Sequence, residues 1–251
     1  MIEKRLTLSW GTIAYISHGE GPLLVFLHGG SITPRAYIPL FEQLGKHFTV
    51  IAPTHPGHGA SFSPPKMWRM YEFVQFYEEF FKALHIEPTY LVGHSFGGGL
   101  ALVLGSRGYG EKLIAMAPTA LPFSLTPASY MKARRREAQD LLTYLNDIER
   151  VKETLSAAGL LLYTVIQRFD DIVWFAKWVS RTDIQKDLVQ IHQPVRLLWG
   201  SDDGIVPMTI GKRILQIIPS ATLTVMDGRG HTYPVTDPEF TYEQLMNALR
   251  T

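Results

Sequence analysis

The sequence contains no cysteine. That excludes disulfides, a thiol nucleophile and thiolate metal sites, and it constrains the redox compartment only weakly. Charge is sparse as well. Asp, Glu, Lys and Arg make up 19% of the 251 residues, and the formal net charge is +1. A chain so balanced offers no basic field for nucleic acid and no polybasic surface for an acidic membrane. Long apolar runs are missing. The longest apolar stretch, Leu160 to Ile166, falls far short of the ~20 residues that a bilayer span needs. Met1-Ile2-Glu3-Lys4-Arg5-Leu6-Thr7-Leu8-Ser9-Trp10 has no apolar core of the signal-peptide kind. Internal repeats and low-complexity tracts are absent too. The expectation is a soluble, cytoplasmic protein whose partner is a small molecule, with no nucleic acid and no membrane. Nothing in the chain signals an oligomeric state.

What is present is a core-forming chain, 46% hydrophobic with 21 glycines, of a length that suits one domain with an elaboration. Residues 4–9 and 12–17 read as an opening hairpin around Gly11. Residues 23–27, 48–52, 112–117, 195–199 and 221–226 are short apolar or β-branched runs of strand length. Residues 35–46, 70–86, 208–218 and 238–249 carry helical patterns. Strands alternating with helices at this spacing predict a parallel α/β sheet, in which function gathers at the carboxyl ends of the strands.

The alternation breaks between residues 121 and 188. That stretch has no convincing strand and is dense in aromatics: Phe123, Tyr130, Tyr144, Tyr163, Phe169, Trp174, Phe175 and Trp178. It reads as a helical cap inserted into a core made of residues 1–120 and 189–251. Most of these aromatics are expected to pack the cap onto the core, and a few to line an apolar pocket. The basic run Lys132-Ala133-Arg134-Arg135-Arg136 reads as a solvated helix face.

The chain is organised around Tyr90-Leu91-Val92-Gly93-His94-Ser95-Phe96-Gly97-Gly98-Gly99. A buried strand ends at Gly93, a tight turn carries Ser95, and a helix runs on to about residue 107. Gly93-x-Ser95-x-Gly97 is the spelling of a nucleophile elbow. Side chains at Gly93 or Gly97 would collide with the neighbouring strand or helix. The helix start then points free N–H groups at any negative charge that develops beside the serine. A phosphate cradle is the competing reading of such a turn. No Lys-Ser or Lys-Thr follows the glycines, however, and the spacing is not Gly-x-Gly-x-x-Gly.

A serine hydroxyl needs a base, and the base needs an orienting carboxylate. Nine histidines compete. His18, His47, His85 and His192 sit away from the predicted strand ends. His94 adjoins Ser95, but its ring must point elsewhere in so tight a turn. His28, His55 and His58 precede Ser95 in glycine- or proline-rich loops and are expected to shape the mouth of the site. His55-x-x-His58 lacks a third ligand for a metal. His231, after the last strand, is the best base. The carboxylate falls to Asp202 or Asp203 after the preceding strand, with Asp227 and Asp237 as fallbacks.

The linked motifs His28-Gly29-Gly30, Pro56-Gly57-His58-Gly59-Ala60-Ser61, Gly93-His94-Ser95-Phe96-Gly97-Gly98, Trp199-Gly200-Ser201-Asp202-Asp203-Gly204-Ile205-Val206-Pro207 and Gly230-His231 resemble the α/β-hydrolase fold superfamily. The resemblance is to its small serine hydrolases with a helical cap, and it covers essentially the whole chain. It implies a mostly parallel eight-stranded sheet flanked by helices, with the cap inserted after strand six. It selects Asp203, four residues before the motif's proline, as the acid beside His231 and Ser95. It places the oxyanion hole at the backbone N–H groups of Phe96 and Gly30, with Ser31 close behind. A serine rather than an aspartate at the elbow argues against haloalkane dehalogenases and epoxide hydrolases.

Two departures stand out. Thr54-His55 precedes Pro56-Gly57 where relatives often carry Asp-x or Asp-Arg, and Thr236-Asp237-Pro238 replaces the common Glu-x-Pro. The implied activity is hydrolysis of an ester of a small apolar substrate through an acyl-enzyme, with no cofactor and no metal. Ser31, His94, Phe123 and Trp174 are expected to touch substrate. Carbon–carbon bond hydrolases, lactonases, amidases, perhydrolases and acyltransferases share the framework, and a non-catalytic ligand-binding receptor is a further alternative.

Overall fold

A computed structural model describes residues 1–30, 32–125, 133 and 178–250. Eight strands form one sheet: β1 (Ile2–Leu8), β2 (Gly11–His18), β3 (Leu23–Leu27), β4 (Thr49–Pro53), β5 (Tyr90–His94), β6 (Lys112–Met116), β7 (Val195–Gly200) and β8 (Ala221–Met226). Their spatial order is β1-β2-β4-β3-β5-β6-β7-β8. β1 pairs antiparallel with β2, and β2 antiparallel with β4. All later neighbours are parallel. The sheet is therefore mostly parallel, as the strand and helix alternation predicts.

The short apolar runs form strands because both of their faces are covered. In β3, Val25 and Leu27 join one hydrophobic cluster while Leu24 and Phe26 join the other. β6 divides in the same way, with Leu113 and Ala115 on one face and Ile114 and Met116 on the opposite one. Continuous apolar spelling is what a strand buried on both faces requires. The outer strand β1 is mostly exposed and carries Glu3, Lys4 and Arg5, charges that discourage another chain from pairing with that edge.

Helices cover the two faces. On one lie α2 (Met70–Leu84) and α3 (Phe96–Ser106), and on the other α1 (Ile38–Leu44) and the final helix α7 (Pro238–Arg250). Between them in sequence come α4 (Gln185–Leu188), α5 (Thr209–Ile217) and α6 (Tyr233–Thr236). In α2, Phe73, Phe76, Tyr77, Phe80 and Phe81 are buried at i, i+3, i+4, i+7 and i+8, the spacing of one helical face. The Glu72 side chain accepts from the Arg69 N–H at 2.9 Å and stabilises its first turn. The helix ends at His85 in left-handed conformation, with φ 53°.

Some elements differ in detail from the sequence expectation. The start of the helix expected at 35–46 is a 3₁₀ turn, Pro34–Tyr37, and α1 stops at Leu44. The one-turn helices α4 and α6 carry too few residues to show a helical period. The body of the expected cap lies outside the described residues, and so do Ser31 and Trp174. Its two stems are described, and they meet. Ile184 N–H donates to Ala120 O at 2.9 Å, and Phe123 N–H to Ser180 O at 2.9 Å. Among the described residues, no helix is long and apolar enough to cross a membrane.

Candidate active site

Ser95 sits between the end of β5 and the start of α3 with φ 55° and ψ −117°. Such a backbone costs a non-glycine residue on the order of 1–3 kcal/mol and persists only where the surroundings force it. Here they do. Ser95 N–H donates to Met116 O at 2.8 Å on β6, while Ser95 O accepts from the N–H groups of Gly99 and Thr119, each at 3.1 Å. The flanking glycines are steric necessities. A Cβ on Gly93 would fall onto the Gly97 carbonyl, and one on Gly97 onto the carbonyls of Leu27 and His28. The elbow glycines thus let α3 lie against β3 and β5, so the N–H of Phe96 opens the helix directly beside the serine.

Asp203 stands in the loop after β7. Its Oδ1 accepts from the N–H groups of Ile205 and Val206, both at 2.9 Å. Its Oδ2 lies 2.7 Å from Nδ1 of His231, in the loop after β8. The side chains are 1% and 7% exposed, respectively. The two loops are pressed together at Gly200, where a Cβ would strike the Arg229 carbonyl. Trp199 Nε1–H pins the first of them by donating to Val206 O at 3.0 Å.

The other three carboxylates have different partners. Asp202 Oδ1 accepts from the Ser201 hydroxyl at 3.1 Å, Asp227 faces the same hydroxyl at 3.4 Å, and Asp237 pairs with Arg229 at 2.8 Å. Of the four acids weighed from the sequence, Asp203 is the one the structure brings to His231.

The loop after β3 carries His28, Gly29 and Gly30. His28 Nδ1 lies 2.7 Å from Gly29 O, and its Nε2 accepts from the His55 N–H at 2.8 Å. In return, His55 Nε2 lies 2.7 Å from His28 O, and its Nδ1 meets the Tyr77 hydroxyl. Both rings are fully buried. A carbonyl only accepts and a backbone N–H only donates, so His28 is the neutral Nδ1–H tautomer and His55 carries its proton on Nε2. Burial, reinforced by neighbouring imidazoles, holds the His28 pKa well below its ordinary value. Burial and the nearby His58 push His55 down to about 3.

His94, expected to touch substrate, is 2% exposed. Its Nδ1 lies 2.7 Å from the Tyr37 hydroxyl and its Nε2 3.0 Å from His231 O, so both ring nitrogens are engaged by protein groups. Phe123 is half-buried against the core cluster that contains Phe96. Trp178, named only among the cap aromatics, stacks edge-on against Phe96 with centroids 5.5 Å apart. Tyr37 and Tyr77 carried no sequence signal of a role near the site. Each sits among aromatics at helical spacing, which reads as core. Among the described residues, no group of three or more potential ligands is placed to hold a metal ion.

The family model described as "Alpha/beta hydrolase family" matches residues 24–244. The chain belongs to that family. The match spans all the strands that carry Ser95, Asp203 and His231 at their ends. Among similar proteins, a magnesium-chelatase 30 kDa subunit from Rhodobacter capsulatus is 27% identical over 240 residues, covering 84% of this chain and 81% of that protein. The uncharacterized hydrolase YugF of Bacillus subtilis (strain 168) is 25% identical over 276 residues, with 98% and 97% covered. The solved structure of a meta-cleavage product hydrolase from Pseudomonas fluorescens IP01 superposes with a TM-score of 0.80 at 22% identity, covering 98% of this chain and 97% of that one. That likeness establishes the α/β-hydrolase fold.

Proposed function

We propose that this member of the family is a serine hydrolase that cleaves an ester or related acyl bond of a small apolar substrate. The observation that carries the reading is the Asp203–His231 contact of 2.7 Å, at the ends of β7 and β8, with the strained Ser95 at the end of β5. In this reading Ser95 Oγ attacks the carbonyl carbon, and His231 takes the hydroxyl proton on Nε2. Asp203 accepts the Nδ1–H and balances the imidazolium charge. The two N–H groups on Asp203 Oδ1 leave Oδ2 for the imidazole.

The tetrahedral oxyanion is held by the backbone N–H groups of Phe96 and Gly30. His231 returns the proton to the leaving group, then activates a water that releases the acyl group from Ser95. Aromatic groups at the stems of the insertion, Phe123 and Trp178, favour an apolar acyl or alcohol portion. The chemistry asks for neither metal nor cofactor.

Three experiments test the proposal. A fluorophosphonate should label Ser95 stoichiometrically, and a p-nitrophenyl ester series should be turned over with a preference among acyl lengths. Ser95→Ala should lower kcat by roughly 10³-fold or more. Ester turnover at the wild-type rate in that variant would refute the assignment. Labelling without ester turnover would redirect the reading to carbon–carbon bond hydrolysis.

A further inference from the structure

We infer that His94 is a positioning residue that anchors the main chain of the proposed base and couples it to the oxyanion loop through Tyr37. The inference rests on the triad reading above and adds to it a group that never touches substrate. Three hydrogen bonds carry it. Gly29 N–H donates to the Tyr37 hydroxyl oxygen at 3.2 Å. The Tyr37 hydroxyl lies 2.7 Å from His94 Nδ1. His94 Nε2 lies 3.0 Å from the carbonyl oxygen of His231. The chain of bonds joins three separate loop regions: the one after β3, the elbow after β5 and the one after β8.

The direction of each bond follows from its ends. The His231 carbonyl only accepts, so His94 Nε2 carries a proton. Gly29 N–H only donates, so the Tyr37 oxygen accepts there and its own hydrogen goes to His94 Nδ1. One arrangement satisfies all four groups, with His94 neutral and protonated on Nε2. The titratable groups around its ring are the Tyr37 hydroxyl, the His231 imidazole, whose centroid is 4.9 Å away, and the neutral His28 ring. A second proton on His94 would put a cation beside the base just when the base must itself become cationic. Burial first, and the His231 ring second, hold the His94 pKa well below its ordinary value, so the neutral form persists.

The geometry gives the bond chain a purpose. The ring of His231 is oriented by Asp203, but the ring is only as well placed as the backbone that bears it, and His94 holds that backbone at the carbonyl. At the other end, Gly29 is the residue before Gly30, the proposed oxyanion donor. The fit is close there as well, since a Cβ on Gly29 would come within 3.1 Å of His94 Nδ1. Misplacing a reacting group by about 1 Å costs on the order of 100-fold in rate. A group that fixes base and oxyanion donor against the same elbow therefore acts on kcat rather than on substrate binding.

Two readouts test this, and the first does not depend on activity. In ¹⁵N-histidine NMR spectra of the wild-type protein, assigned by the signals lost in His94→Gln, His94 should show the neutral Nε2–H tautomer from about pH 5 to 8, across the range where free imidazole titrates. An Nδ1–H tautomer, or titration within that range, would overturn the inference.

The second readout separates the two arms. His94→Gln keeps an N–H at the ε position for the His231 carbonyl and loses the acceptor for Tyr37. His94→Asn keeps a δ-position acceptor and loses the donor. The Asn variant should lose about 10- to 100-fold in kcat with KM little changed, and the Gln variant only about threefold. Equal losses in the two variants, or a rise in KM at constant kcat, would overturn it. If the Asn variant fails to fold, the NMR result decides, together with Tyr37→Phe, which should lower kcat a few-fold while leaving the His94 tautomer intact. Failure of the triad reading is recognised separately, as wild-type Ser95 that does not react with fluorophosphonate.

Discussion

Lowering the pH from about 7.5 to about 5.5 should remove roughly 4 kcal/mol of folding stability. The cause lies in three buried histidines, His28, His55 and His94, which are 0%, 0% and 2% exposed. Their pKa values are all depressed, mainly by burial. In each, one ring nitrogen must accept: His28 Nε2 from the His55 N–H, His55 Nδ1 from Tyr77 and His94 Nδ1 from Tyr37. The unfolded chain protonates these rings near pH 6.5, and the folded chain does not. The unfolded state therefore binds more protons in this window, and stability rises with pH. The contribution is complete above about pH 6.5 and drains away as the pH falls toward the folded values. Each ring costs about RT ln(1 + 10^(6.5 − pH)), or ~1.4 kcal/mol at pH 5.5, and three give ~4. Against the 5–15 kcal/mol typical of a domain, that is a large share. Ordinary carboxylates stay ionised in both states at both pH values, so they do not blur the window. Urea unfolding followed by circular dichroism should show the midpoint falling by about 1 M or more between the two conditions. His94→Gln, which removes one of the three titrating rings, should reduce the loss by about a third. Equal midpoints at the two pH values would refute the tautomer and burial argument.

Two substitutions probe the elbow and the acid. Asp203→Asn should lower kcat by roughly 10⁴-fold: its carbonyl oxygen accepts from the Ile205 and Val206 N–H groups, so its NH₂ faces His231 and forces the imidazole into the tautomer that cannot take the serine proton. Steady-state kinetics on a p-nitrophenyl ester check this, and a loss under tenfold would argue for a different orienting group. Gly97→Ala drives a Cβ onto the Leu27 and His28 carbonyl oxygens and should destabilise by roughly 3 kcal/mol or more. Thermal melting checks it, and a melting temperature within a degree or two of wild type would show that the elbow has room the geometry denies it.

The sequence exposes the features whose causes are local. Leu23 to Leu27 spells a strand covered on both faces, and the structure divides its side chains between two clusters. Gly93 and Gly97 spell a turn because the collisions that exclude other residues occur within a few positions, or against the one strand beside it. The chain order of Ser95, Asp203 and His231 follows from the order of strands. The choice between Asp202 and Asp203, by contrast, needed the resemblance, because two adjacent carboxylates differ only in which backbone N–H groups each one meets. From the sequence, His55 reads as shaping the mouth of the site and His94 as touching substrate, and neither reading reveals a bonding partner. Their partners, Tyr77 and Tyr37, lie 22 and 57 residues away, and no periodicity connects them. Ser31 and Trp174 fall outside the described residues, and the stretch between residues 121 and 188, expected to form a cap, is described only at its two ends and at Ala133, which sits against Gly204 beside Asp203.

The departure at Thr54-His55 gains a physical meaning from these contacts. Where relatives often carry Asp-x or Asp-Arg, this chain braces the loop after β3 with a neutral imidazole. His55 offers its Nε2–H to His28 O and its backbone N–H to His28 Nε2, two bonds that need no formal charge. His94 braces the elbow and the loop after β8 in the same neutral way. Four histidines are buried among the described residues: His28, His55, His94 and His231. Three of them face carbonyls, hydroxyls and an N–H, groups that reward the uncharged ring. Only His231 faces a carboxylate, the partner that rewards a proton gained. An imidazole beside Asp203 can therefore accept charge without competition from His94, the neutral ring 4.9 Å away. The proposed base is distinguished by its carboxylate partner, which the other three buried histidines lack. Replacing His94 with a permanently charged side chain would put that charge beside the base.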